Sequence, residues 1–153
     1  MFAIYKGNKY KLVKDRRREK WELISKQEES IKDGFIKDGH LFYKPVSDLS
    51  ELEDVLDISV FVEYETHLQD VPSVWKLQFS KEYFTEDSVK LVFGMGLLPG
   101  WHVDDKNVSS QYVKVDDISK AWMETKSKTT GIIIKEEIKP QMLCQVYMDI
   151  INL

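Results

Sequence analysis

The chain has 153 residues, 42% of them hydrophobic and 12% aromatic, which is enough apolar material for a packed core and argues against disorder. Its formal net charge of −4 is unevenly spread: residues 1–26 hold nine Lys/Arg against three acids, a balance of +6 that leaves −10 for the rest. An acidic body with one basic corner suits a protein partner better than a nucleic-acid groove, because phosphates would be repelled by most of the surface.

No apolar stretch approaches the ~20 residues of a membrane span, and the start Met1-Phe2-Ala3-Ile4-Tyr5-Lys6-Gly7 lacks the pattern of a signal peptide. The expectation is a cytoplasmic protein with no membrane contact. The single cysteine, Cys144, excludes an internal disulfide and sits in an apolar run where a thiol serves as a small hydrophobe.

In chain order, residues 2–6 and 9–14 flank Gly7-Asn8, and the alternation on either side predicts a hairpin with the turn at that pair. A reversal at residues 15–18 leads to a third strand over 20–25, with Trp21 and Leu23 on one face and Glu22 on the other. Residues 26–32 are polar and read as a loop, Asp33-Gly34 and Asp38-Gly39 are turn pairs, and residues 41–46 return as a strand with Pro45 near its end. Asp48 and Glu51 have the spacing of a capping box, and Leu49, Leu52, Val55 and Leu56 then predict a two-turn helix. The β-branched and aromatic run over 58–64 predicts the strand that ends a first unit, residues 1–70.

The second unit, residues 71–153, opens with strict alternation over 74–79, followed by an apolar strand over 89–93. Three glycines and a proline then break the pattern at residues 94–101. Residues 112–115 predict a strand, and residues 117–125 a short helix with Ile118, Ala121 and Trp122 inward. Residues 131–135 and 141–153 are expected as closing strands, although 142–151 has the length of a helix. The fold class expected is mainly β with short helices, a β-rich α+β protein of two tandem SH3-like barrel units.

A near-repeat supports two units. The stretch Tyr43-Lys44-Pro45-Val46-Ser47-Asp48-Leu49-Ser50 recurs as Tyr112-Val113-Lys114-Val115-Asp116-Asp117-Ile118-Ser119. Each copy follows a Gly-aromatic-x-x-Asp lead-in, Gly34 to Asp38 in one and Gly100 to Asp104 in the other, at a spacing shifted by three residues. A duplicated scaffold without duplicated chemistry points away from an enzyme.

Four groups of residues carry candidate sites. Glu63, Glu65 and His67 alternate along one side of an extended segment and could converge on a divalent metal, but a solvated strand face explains them more simply. His102 with Asp104 and Asp105 could supply a general base for a small hydrolase, yet no motif sets a nucleophile beside it, so no catalytic residue is assigned. Arg16, Arg17 and Arg18, near Tyr5, Tyr10 and Trp21, could grip a nucleic-acid backbone, and the plainer reading is a charged turn. The hydrophobic loop with Met95, Leu97, Leu98 and Trp101 either folds back onto the core or is displayed to a partner. No sequence feature calls for a metal or cofactor, and none fixes the oligomeric state.

The pattern Tyr5-Lys6-Gly7-Asn8-Lys9-Tyr10, Trp21-Glu22-Leu23-Ile24-Ser25, Gly34-Phe35 and Tyr43-Lys44-Pro45-Val46-Ser47-Asp48-Leu49 resembles that of small two-repeat cytoplasmic β proteins of Gram-positive bacteria. Some of these are immunity proteins of polymorphic toxins. The resemblance implies a non-catalytic module that binds and neutralises a cognate toxin, and it carries over no toxin-binding residue. The loop supplies the expected partner contacts, Leu97, Leu98, Trp101, His102, Asp104 and Asp105.

Overall fold

Positive φ angles at Lys6 (49°) and Gly7 (75°) reverse the chain between β1 (Phe2–Tyr5) and β2 (Asn8–Asp15), with Tyr5 opposite Asn8. The turn pair is therefore Lys6-Gly7, one residue earlier than the sequence reading. Both central residues of this tight hairpin need positive φ, and glycine in the second place supplies it without strain. The computed structural model that shows this describes residues 1–153.

Strand β3 (Lys20–Ser25) runs antiparallel to β2 and sets Leu23 opposite Leu12, both fully buried. The expected loop after it contains a 3₁₀ turn over Glu28–Asp33 that ends on Gly34 at φ 87°. Strands β4 (Ile36–Asp38) and β5 (Leu41–Val46) form the next hairpin, and β5 pairs with β3. Because β4 reaches only Leu41 to Tyr43, Pro45 has no neighbour on that side and its missing N–H costs nothing there.

The capping box is present. Asp48 accepts from the Ser50 N–H at 2.7 Å, and Glu51 accepts in return from the Asp48 N–H. The helix it starts is a single 3₁₀ turn, Leu49–Glu51, and not two turns. Val55 and Leu56 already belong to β6 (Asp54–Glu63), where β-branched residues at every second position outweigh the short helical stripe.

Strand β7 (Val74–Leu77) pairs with β6 through Val62 opposite Trp75. Strands β8 (Ser88–Phe93), β9 (His102–Asp105) and β10 (Val108–Lys114) form a separate sheet in the order β8-β10-β9. After β10 comes a 3₁₀ turn over Val115–Asp117, and then strand β11 (Lys120–Ser127) in place of the expected helix. Ala121 and Trp122 are both buried, so neighbouring residues of β11 are covered on both faces and the strand lacks the alternation that would have revealed it. Strand β12 (Ile133–Ile138) follows, and a 3₁₀ turn over Pro140–Met142 leads into α1 (Leu143–Ile151). That final segment is a helix and not a closing strand: Leu143, Tyr147 and Ile150, at helical spacing, are its buried residues.

The chain divides into two compact units. One comprises Met1–Ile58, Glu124–Ile134 and Asn152–Leu153; the other comprises Ser59–Met123 and Lys135–Ile151. These are interleaved segments, where the sequence reading drew one boundary after residue 70. The first unit orders its strands β6-β1-β2-β3-β5-β4 around Ala3, Tyr10, Leu12, Leu23, Phe35 and Phe42. The second is centred on Val60, Val62, Trp75, Leu91, Leu143 and Tyr147. The class is β-rich α+β, as expected, but the sheets stay open and do not close into the SH3-like barrels anticipated.

Candidate functional site

The loop between β8 and β9 in the second unit is built by backbone polar groups meeting one buried hydroxyl. Ser109, fully buried on β10, donates from Oγ to the Gly96 carbonyl (3.1 Å) and accepts the Leu98 N–H (3.1 Å). Gly96 N–H reaches the Asn107 carbonyl at 3.0 Å, and Trp101 N–H the Leu98 carbonyl at 3.1 Å. The loop is thus tied at both ends although its composition reads as irregular. Ser109 was not singled out by sequence, because an isolated serine in a strand carries no signal.

Of the six expected contact residues, Leu97 is 52% exposed, and Met95 beside it is 89% exposed. Leu98 is half-buried. Trp101 is also half-buried and stacks on Trp75 with ring centroids 5.6 Å apart. It anchors the loop to its own unit, while Met95 and Leu97 face outward. Next to them lies an open groove of about 610 Å³ lined by Val71, Pro72, Val74, Phe93 and Met95, with Asp70 and Lys76 as its charged members. The signal that would have found the groove, that β7 and β8 pair with other strands and not with each other, depends on tertiary pairing.

His102 and Asp104 lie on β9 with the imidazole Nε2 3.9 Å from the carboxylate, too long for the hydrogen bond that would orient a general base. Lys90 Nζ approaches the same carboxylate oxygen at 3.8 Å. These three line an open depression of about 490 Å³ with Ser110, Gln111 and Tyr112. The Tyr112 hydroxyl donates to the Glu82 carbonyl at 2.6 Å, and Asp105 accepts the Lys106 N–H of the adjoining turn at 2.7 Å. The arrangement fits an exposed ionic surface and offers no aligned nucleophile and base.

The other candidates disperse. No three His, Cys, Asp or Glu side chains gather as a metal site, so Glu63, Glu65 and His67 do not converge. Strand β6 ends at Glu63, and the alternation that would align Glu65 and His67 with it ends there too. At the basic hairpin, Lys14 pairs with Glu19 at 2.6 Å and Arg18 approaches Asp15 at 3.7 Å, while Asp15 also accepts the Arg17 N–H. Neighbouring acids therefore offset part of the charge expected to meet a phosphate backbone.

In the first unit a polar cluster forms around Asp33, which the sequence marks only as a turn residue. The Tyr10 hydroxyl donates to Asp33 at 2.6 Å, and Asn8 Nδ2 donates to the same oxygen at 3.2 Å. Burial, reinforced by the hydrogen bond to Asp33, pushes the Tyr10 phenol up to about 12. The same bond, with help from Asn8, holds the Asp33 carboxyl below its usual range. Alternation places Asn8 and Tyr10 on one face of β2, but only the fold brings Asp33 to them.

A model of the family described as Uncharacterised conserved protein UCP033725 matches residues 1–95. That is well over half of the chain. The protein belongs to this uncharacterised family. The match ends at Met95, inside the loop, so Leu97, Leu98, Trp101, His102, Asp104 and Asp105 lie beyond the matched segment. No curated protein and no solved structure matches the chain.

Proposed function

We propose that this protein is a non-catalytic binding module, an immunity protein that neutralises a cognate bacterial toxin in the cytoplasm by covering part of its surface. One observation carries the reading: Met95 and Leu97 are held outward on a hydrogen-bonded loop beside an open apolar groove. Large apolar side chains displayed on an ordered loop are poor candidates for solvation and good ones for burial in a partner.

Charge favours a basic partner. The second unit holds eight Lys/Arg against 13 acids, a balance of −5, whereas the first holds 14 against 13, a balance of +1. Asp104 and Asp105 stand on the strand that follows the loop, where they would steer a basic surface towards the apolar anchors Leu97 and Leu98. Trp101 supports the loop from below, and His102 sits at the rim of the contact.

The test is co-expression with the toxic domain encoded beside its gene, scored by cell survival and by complex formation between the purified proteins. Wild type protects and binds. The pair Leu97→Lys and Met95→Glu weakens binding by about tenfold or more, and Asp104→Lys slows association at low salt. Unchanged binding by these variants would displace the surface. Failure of the wild type to bind the neighbouring product would sink the immunity reading.

A further inference from the structure

Strand β12 stands at one end of its sheet, hydrogen-bonded to β11 alone. Ile132, which precedes it directly, and its first two residues, Ile133 and Ile134, are three consecutive isoleucines that are 62%, 54% and 58% exposed. Successive strand residues point to opposite faces, so exposure of all three means that both faces and the outer edge are open here. Edge strands of folded proteins are ordinarily guarded by charge, proline or a covering element, and an uncovered apolar edge is a template for pairing. All three isoleucines lie within the first unit.

The backbone fixes which residue presents its polar groups outward. Ser127 N–H donates to the Ile132 carbonyl at 2.9 Å across the β11–β12 turn. Strand groups alternate sides, so the N–H and C=O of Ile133 project from the free edge. We infer that this edge is a self-association surface on which a second copy of the chain pairs antiparallel, with the two-fold axis at Ile133.

Self-complementarity selects the second copy as the occupant. With Ile133 opposite Ile133 of the second copy, the two residues exchange both hydrogen bonds, and each Ile132 faces the other chain's Ile134. Every isoleucine then has a β-branched cross-strand neighbour, the pairing that stabilises sheets best. Sliding by two residues sets Ile133 against Lys135, and sliding by four sets Lys135 against itself. Only one symmetric register therefore matches all three apolar positions without opposing like charges.

The area sets the strength. Three half-exposed isoleucines offer on the order of 300 Å² of apolar surface per copy, against roughly 800 Å² per partner in a standard interface. The dimer is accordingly weak and reversible, with a dissociation constant on the order of tens of micromolar.

Sedimentation velocity over a range from low micromolar to several hundred micromolar tests this on the full chain. Wild type passes from monomer to dimer. Ile133→Lys raises the dissociation constant by at least about tenfold and keeps the wild-type thermal midpoint, since the side chain is exposed. Register is tested separately in a Cys144→Ser background. Ile133→Cys gives a symmetric disulfide dimer under mild oxidation, whereas Ile134→Cys does not, because its two copies lie beyond the ~7 Å that a disulfide can span. A wild type that stays monomeric throughout, a Lys variant that associates as wild type does, or equal crosslinking at the two positions would each overturn the inference.

Discussion

Strands β3, β5 and β4 of the first unit and β8, β10 and β9 of the second share one order, and in each unit a 3₁₀ turn follows the middle strand. The near-repeat falls on the same places in both. Leu23 pairs with Lys44 and Val89 with Val113, the repeat counterpart of Lys44, and both Leu23 and Val89 are fully buried. The lead-in aromatics also match: Phe35 packs on Tyr10 of β2 at 4.6 Å, and Trp101 on Trp75 of β7 at 5.6 Å. These residues are scaffold in each unit. The units differ in what surrounds that scaffold. In the first, four residues link β2 to β3 and the strands pair through five residue pairs. In the second, ten residues link β7 to β8, the strands belong to different sheets, and a groove opens beside the loop carrying Met95 and Leu97. A common module can thus be continuously paired in one unit and leave an open surface in the other when one connection lengthens.

The comparison breaks if the two aromatics are not equivalent supports. Phe35→Ala, at a site only 3% exposed, should cost about 3–5 kcal/mol. Trp101→Ala, half-buried, should cost about half as much by the same reasoning, read from denaturant midpoints of both variants against wild type. If Trp101→Ala left stability untouched while abolishing partner binding, Trp101 would be a displayed anchor and the parallel with Phe35 would fail.

A smaller effect sharpens the contrast through pH. The Tyr10–Asp33 bond belongs to the first unit alone. Asp33 has a lowered folded-state pKa, so its contribution is present above the unfolded value of about 3.9 and fades as pH falls through the folded one. Tyr10 is raised, so its contribution is complete below the unfolded value of about 10 and fades as pH rises through about 12. Tyr10→Phe should therefore lower the thermal midpoint by a few degrees between about pH 5 and pH 10, with the gap to wild type narrowing on either side. A gap that is flat down to pH 2 would show that the bond does not couple to Asp33 ionisation.

The local signals were legible where one segment decides its own structure. The first meander, the capping residues Asp48 and Glu51, and the junctions after Val46 and before Ile118 all follow from alternation, turn chemistry and side-chain caps. Helix length was not legible. Val55, Leu56, Ala121 and Trp122 satisfy a helical stripe over a few residues, yet strand pairing to β1 for the first two and two-sided burial for the others decide their state. The loop was legible as a candidate surface from its glycines and leucines. Its groove, its support by Ser109 and the cluster around Asp33 depend on residues far apart in sequence, which no local pattern encodes.

The smallest effect concerns the repeated aspartates, identical in sequence but different in use. Asp48 accepts the Ser50 N–H, and its carboxyl is held low by that bond, whereas no side-chain cap opens the 3₁₀ turn Val115–Asp117. The offset has a structural origin: in the second unit the 3₁₀ turn begins on Val115, the counterpart of Val46, three residues earlier in the repeat frame than the turn at Leu49. Asp117 is then the last residue of its turn and cannot reach free N–H groups at the start. Asp48→Ala should lower the thermal midpoint by a degree or more and Asp117→Ala should leave it unchanged, so that equal losses at both sites would mean that the two turns begin at the same place in the repeat after all.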